Sequence, residues 1–120
     1  MKAIYTHSRH LRVIDVVVTN ADADAVELVE LPAGAVHGIK VAVEDAFNTG
    51  AVLDIGVRGD PDHLVNDQAI DVLGVLACTL AEYHSSTKSY VLTATVSDKT
   101  AAGRVRVIVE FSIATENKVL

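Results

Sequence analysis

LPAGAVHGIKVAVEDAFNTGAVLDIGVRGDPD, residues 31–62, sets the reading of the whole chain. Across residues 38–46, Ile39, Val41 and Val43 share one parity, and Lys40, Ala42 and Glu44 the other. A period of two is what a strand with one buried face requires. Phe47-Asn48-Thr49-Gly50 reads as a turn, because Asn and Gly tolerate the positive φ of tight turns. Residues 52–57 then read as a return strand, with Leu53, Ile55 and Val57 against Val52 and Asp54. The expected unit is a β-hairpin, led into by Leu31-Pro32-Ala33-Gly34 and left through Gly59-Asp60-Pro61-Asp62.

Upstream of it, residues 26–31 read as a short strand ended by Pro32 and Gly34. Asn20-Ala21-Asp22-Ala23-Asp24 lies in a polar loop. Residues 11–18, LRVIDVVV, read as a strand with Leu11, Val13, Asp15 and Val17 on one parity and Arg12, Ile14, Val16 and Val18 on the other. Residues 1–10 are polar and aperiodic, and read as an N-terminal arm of the sort a neighbouring subunit orders. Downstream, Asp60-Pro61-Asp62 predicts a short helical turn over residues 61–66, with Pro61 at its first position. Residues 71–81, DVLGVLACTLA, are apolar on both parities. A helix is compatible with them, but Gly74 and Thr79 favour a strand buried on both faces. Residues 83–89 read as a Ser/Thr-rich loop. Residues 90–96 and 104–113 alternate cleanly and read as a second antiparallel hairpin, with Val105, Val107, Val109, Phe111 and Ile113 inward. About seven strands separated by turn signals predict an all-β fold, an antiparallel β-sandwich of jelly-roll-like kind. Residues 11–120 would form this single domain behind the arm.

Composition agrees with that class. Only 4% of the 120 residues are aromatic while half are apolar, so the core must come from Val, Ala, Leu and Ile. The β-branched members suit a pleated surface. Ten basic residues stand against sixteen acidic ones, a formal charge of −6. Arg9, Arg12, Arg58, Arg104 and Arg106 are scattered, without the basic stripe of a duplex binder, so no nucleic-acid partner is expected. Cys78 is the one cysteine, which removes any intrachain disulfide. No apolar run approaches the roughly twenty residues of a membrane span. The polar N-terminus does not resemble a secretory signal.

The spacing of Asp22 and Asp24 opens like a calcium loop, but Ala25 and Leu31 occupy the positions that need Gly and Glu. A solvated loop is the expected role. Asp54, Asp60, Asp62 and His63 are the densest acidic group, and Asp around Pro61 is ordinary turn chemistry. No metal ligand or cofactor is assigned to them. His7, His10, His37, His63 and His84 carry no HExxH pattern. Ser85 and Ser86 lack a nucleophile elbow, and Cys78 sits in an apolar run where a thiol is inert. No catalytic residue is expected. Ile14, Val16, Val18 and Ile108 are apolar on faces that the pattern leaves to solvent, which points to cover by a second subunit.

The segment LPAGAVHGIKVAVEDAFNTGAVLDIGVRGDPDHLV resembles the core of small virion structural proteins of tailed bacteriophages. There, a Leu-Pro-Ala-Gly-Ala lead-in precedes a Val-rich strand, an Ala-Phe-Asn turn and a strand ending in Gly-Asp-Pro-Asp. Thr93-Ala94-Thr95, the turn at Ala102-Gly103 and the strand over 104–111 continue the likeness, which spans residues 26–113 and leaves the first 25 unmatched. The resemblance implies a non-enzymatic β-rich capsid decoration (cement) protein on the outer surface of the major capsid protein shell, made in the host cytoplasm. The apolar residues on both faces of residues 11–18 lead to the expectation of a homo-oligomer, first of all a trimer. A neck, head–tail or tail component is the alternative within the virion. A carbohydrate- or calcium-binding β module is the alternative outside it.

Overall fold

The computed structural model describes residues 11–82 and 84–114. The arm expected over residues 1–10 lies outside them. The described chain forms nine strands: β1 (Leu11–Thr19), β2 (Val26–Leu31), β3 (Gly34–Asp45), β4 (Val52–Val57), β5 (Asp60–Ala69), β6 (Gly74–Ala77), β7 (His84–Ser86), β8 (Tyr90–Val96) and β9 (Arg104–Ile113). One sheet runs β1-β9-β3-β6, with β7 also paired to β3; the other runs β2-β8-β4-β5. Every pairing is antiparallel. With β7 set aside, these are the two four-stranded sheets of a jelly roll.

The alternation read from the sequence sets the core. Ile39, Val41 and Val43 of β3 and Val105, Val107, Val109 and Phe111 of β9 are buried from one side. Leu53 and Ile55 of β4 and Tyr90, Leu92, Ala94 and Val96 of β8 meet them from the other. Val or Ile at most of these positions matches the pleat, and branched side chains fill most of the space between the sheets, with Phe111 and Tyr90 the rings among them.

Strand partners depart from expectation. Neither expected hairpin exists: β3 and β4 lie in opposite sheets, and so do β8 and β9. Alternation says which face of a strand is buried. It does not say whether the next strand lies beside it or across the core. The link after β3 crosses between sheets, with Phe47 buried at the crossing against Gly103, whose missing Cβ leaves room for the ring. Among sequence-adjacent strands, β4 and β5 pair, through a turn at Arg58 and Gly59 where Gly59 has φ +92°.

The helical turn expected over residues 61–66 is instead part of β5. Pro61 sits at the start of a sheet-edge strand, where its missing N–H costs no ladder bond. Leu64 and Val65 are pulled into the core. Two irregularities let β5 dock: four residues, 61–64, lie opposite Gly56 alone, and Asp67 bulges at φ +60°. Residues 71–81 hold a strand, as favoured, but only over Gly74–Ala77, and all four of its residues are exposed rather than doubly buried. The loop expected over 83–89 contains β7.

Parity also needed two corrections. In β1 the inward set is Ile14, Val16 and Val18, and Leu11 and Val13 are left exposed. In β2 a bulge at Leu28 switches parity, so Val26, Val29 and Leu31 all align with inward residues of β8.

Candidate assembly surface

The outer face of the β1-β9-β3-β6 sheet is organised by the residues left over from the core. Register places Asp15 beside Ile108 and Lys40, and Val17 beside Arg106 and Ala42. Arg106 reaches both ways, to Asp15 at 3.4 Å and to Glu44 at 3.2 Å. Arg104 joins Glu44 at 2.8 Å. These donors, Arg104 first, hold the Glu44 carboxyl below its ordinary range. The result is a charge ladder over three strands, bordered by apolar edges. At one edge stand Leu11 and Val13 of β1. At the other are Val75 and Leu76 of β6, with Val72 and Leu73 in the bend before it. The pattern missed this second edge, because an uncharged DVLGVLA run looks the same whether it is buried in a core or held out on a rim.

The acidic groups weighed for cations are spent on the backbone and on lysine. Asp54 Oδ1 accepts the N–H of Asp67 at 2.8 Å, holding the β5 bulge. Asp22 Oδ2 accepts the N–H of Thr19 at 2.8 Å. Asp24 pairs with Lys99 Nζ at 2.7 Å, and Lys99 also donates to the Asp22 carbonyl. Asp60 turns to His63, with Oδ2 3.3 Å from Nδ1, while Asp62 is exposed. Among the described residues no three His, Cys, Asp or Glu side chains are grouped to hold a metal.

The histidines separate. His7 and His10 lie outside the described residues. His37 Nε2 is 2.7 Å from Ser112 Oγ across β3 and β9. His63 and His84, distant in sequence, come together with ring centroids 5.2 Å apart, and His84 lies edge-on to Tyr90 at 4.5 Å. Glu82 closes on His63 at 3.6 Å. Burial first, and then the neighbouring His63, push the His84 pKa below its ordinary value. A histidine whose folded pKa is depressed stabilises the fold above its unfolded pKa, near 6.5, and loses that contribution as pH falls through the folded value. Thermal midpoints measured from pH 7 down to pH 5, a window that opens just above the unfolded pKa and extends below it, should therefore fall for the parent and fall less for His84→Gln.

Beside His84, a cleft of about 370 Å³ is lined by Glu30, Val57, Arg58, Ser89, Tyr90 and Val91. Its charged rim is internally paired: Ser89 Oγ donates to Glu30 at 3.1 Å and Arg58 to Glu27 at 2.8 Å. Cys78 is half-buried and desolvation raises its thiol pKa to about 11, which keeps it protonated at neutral pH. Ser85 and Ser86 lie on β7 in the ladder with β3, at Ala35 and Gly34.

No family model matches this sequence, and no curated protein matches it. The structure is similar to a chain of the capsid asymmetric unit of cyanophage Pam1, with a TM-score of 0.67 and 20% identity over 86% of this chain and 84% of that one. It is also similar to a chain of the acidic stable capsid of Helicobacter pylori bacteriophage KHP30, with a TM-score of 0.65 and 16% identity over 86% of this chain and 87% of that one. At these identities the likeness is one of fold.

Proposed function

We propose that this chain is a non-enzymatic structural component of a phage virion, and within it a capsid decoration (cement) protein seated on the outer surface of the major capsid protein shell. The observation that carries the reading is the end-to-end fold likeness to chains solved within two phage capsids, over more than four-fifths of each partner. The surface supports it. A decoration protein needs a rigid body and strips of charge and apolar area to lay against a shell, and the ladder of Asp15, Arg106, Glu44 and Arg104 between apolar edges supplies both. A neck or tail component is the reading it displaces. The cleft beside Tyr90 is within the size range of small-molecule sites and favours, of the carbohydrate- or calcium-binding module, the carbohydrate-binding form as the second reading.

The proposal includes self-association, with a trimer as the expected count, and the division into an arm, residues 1–10, and a body, residues 11–120. The protein would be made in the host cytoplasm and end on the virion surface. Bound copies gain stability by mass action, and an arm adds avidity without entering the fold. Co-sedimentation with capsids stripped of the protein is the test. The full chain should pellet at micromolar concentration, and deletion of residues 1–9 should weaken retention while leaving the thermal midpoint of the soluble protein nearly unchanged. A chain that stays in the supernatant overturns the capsid reading, and calcium or sugar binding lost on changing cleft residues would install the second.

A further inference from the structure

We infer that copies of this chain join edge to edge, β1 of one copy adding beside β6 of the next, so that the β1-β9-β3-β6 sheet continues from copy to copy. The inference rests on the self-association proposed above and supplies its surface. The six large apolar side chains that stand exposed among the described residues all lie at these two edges: Leu11 and Val13 on β1, and Val72, Leu73, Val75 and Leu76 on or just before β6. Among the described residues β1 pairs only with β9, and β6 only with β3, so each strand has one open side. An open, uncharged, apolar strand edge is a template for another strand, and natural proteins either blunt it or fill it. Neither edge here carries a proline; β6 carries no charge at all, and β1 carries Arg12 and Asp15, of which Asp15 is engaged by Arg106.

A second copy is the occupant because one contact satisfies both edges. A foreign strand laid on β6 would leave Leu11 and Val13 of β1 in water, and the reverse holds for β1. The topology also fits. β1 is antiparallel to β9, β9 to β3 and β3 to β6, so β6 runs opposite to β1. A copy added in the same orientation therefore meets β6 with an antiparallel β1, the pairing every other neighbour in the sheet uses. Faces match as well. Val75 aligns with outward Ala42, and Val13 with outward Glu110. Val75 of one copy and Val13 of the next thus lie on one face, and Leu76 meets the inward set that includes Ile14. Such a head-to-tail contact uses two different patches of the chain and closes into a ring when its rotation permits.

Paired single-cysteine variants read the geometry in solution, without capsids, so the outcome is independent of shell binding. Val13→Cys and Val75→Cys are each made with Cys78→Ala. Within one copy positions 13 and 75 stand three strand spacings apart, roughly 14 Å, and are offset by four residues along the strands, roughly 13 Å more in that direction, too far for a disulfide. Faces set Val75 of one copy opposite Leu11, Val13, Asp15 or Val17 of the next, so cysteine is also placed in turn at 11, 15 and 17; the pair directly opposite falls at cross-strand distance, about 4.5–5.5 Å between Cα atoms, which a disulfide spans. Mild oxidation of the mixture should give covalent dimers, while either variant alone gives almost none. Val75→Lys, changing a side chain already 67% exposed, should fold with an unchanged thermal midpoint and self-associate about tenfold or more weakly by light scattering. Cross-linking of one variant with itself at the level of the mixture, undiminished association of Val75→Lys, or a parent chain that stays monomeric at high concentration would each overturn the inference.

Discussion

Phe111→Ala is expected to lower the unfolding free energy by about 3–5 kcal/mol, the range for removing a core ring. Phe111 is one of two phenylalanines in the chain, and it is buried on β9 opposite Val36 of β3. β9 is also the central strand between β1 and β3, so a void here touches the two longest ladders of the sheet. The buried cluster it belongs to is largely valine and isoleucine with leucine, and β-branched side chains are too stiff at χ1 to collapse fully into the space a ring leaves. Urea midpoints of mutant and parent, with m unchanged, give the number. A loss below about 1 kcal/mol would mean that the ring contributes little to the core.

The second large effect acts through the backbone. Alanine at Gly56 would place its Cβ 2.1 Å from the carbonyl oxygen of Asp60 and 2.4 Å from the carbonyl carbon of Pro61. Both contacts are with backbone, so no side chain can rotate away, and β5 must lift from β4. Leu64 and Val65, fully or almost fully buried just beyond, would lift with it. The expected loss is about 3 kcal/mol or more, at or above the upper end of ordinary overpacking. Gly59→Ala is the matched comparison. It lies three residues on, with φ +92° and open space around its Cβ, so it bears only the backbone penalty of about 1–2 kcal/mol. Equal midpoints for the two variants would show that the close approach at Gly56 does not hold the hairpin.

What the sequence made legible, and what it did not, divides along a physical line. The buried faces of β3, β4, β8 and β9 follow from period-two alternation, because a buried face must be apolar wherever its partner lies. Pairing does not follow, because in a two-sheet wind most connections cross the core, and β3 and β4 share side-chain parity whether they lie side by side or face to face. Pro61 flanked by aspartates is the same string at a helix start and at a sheet-edge strand; what decides is pairing of β5 with β4 over Gly56, and a glycine four to five residues upstream does not announce that pairing. The rim at Val72, Leu73 and Val75 was read as interior for a related reason. Apolar composition reports that a surface wants cover, and says nothing of whether the cover comes from the same chain. The His63–His84 pair was invisible because two strands of opposite sheets bring it together. Asp22, by contrast, does what its residue type announces and holds a turn at Thr19, whereas Asp60 and Asp62, read as turn residues, lie in β5, and Asp54 holds the β5 bulge from within β4.

The proposed place of this jelly roll is the outer surface of a virion shell. Electron cryomicroscopy of capsids stripped of the protein, imaged before and after adding it back, tests that placement most directly. Added density on the outer surface, repeated over the shell, into which the two-sheet body fits as a rigid unit, is the expected result. Density confined to the neck or tail, or maps unchanged at saturating protein, would contradict it.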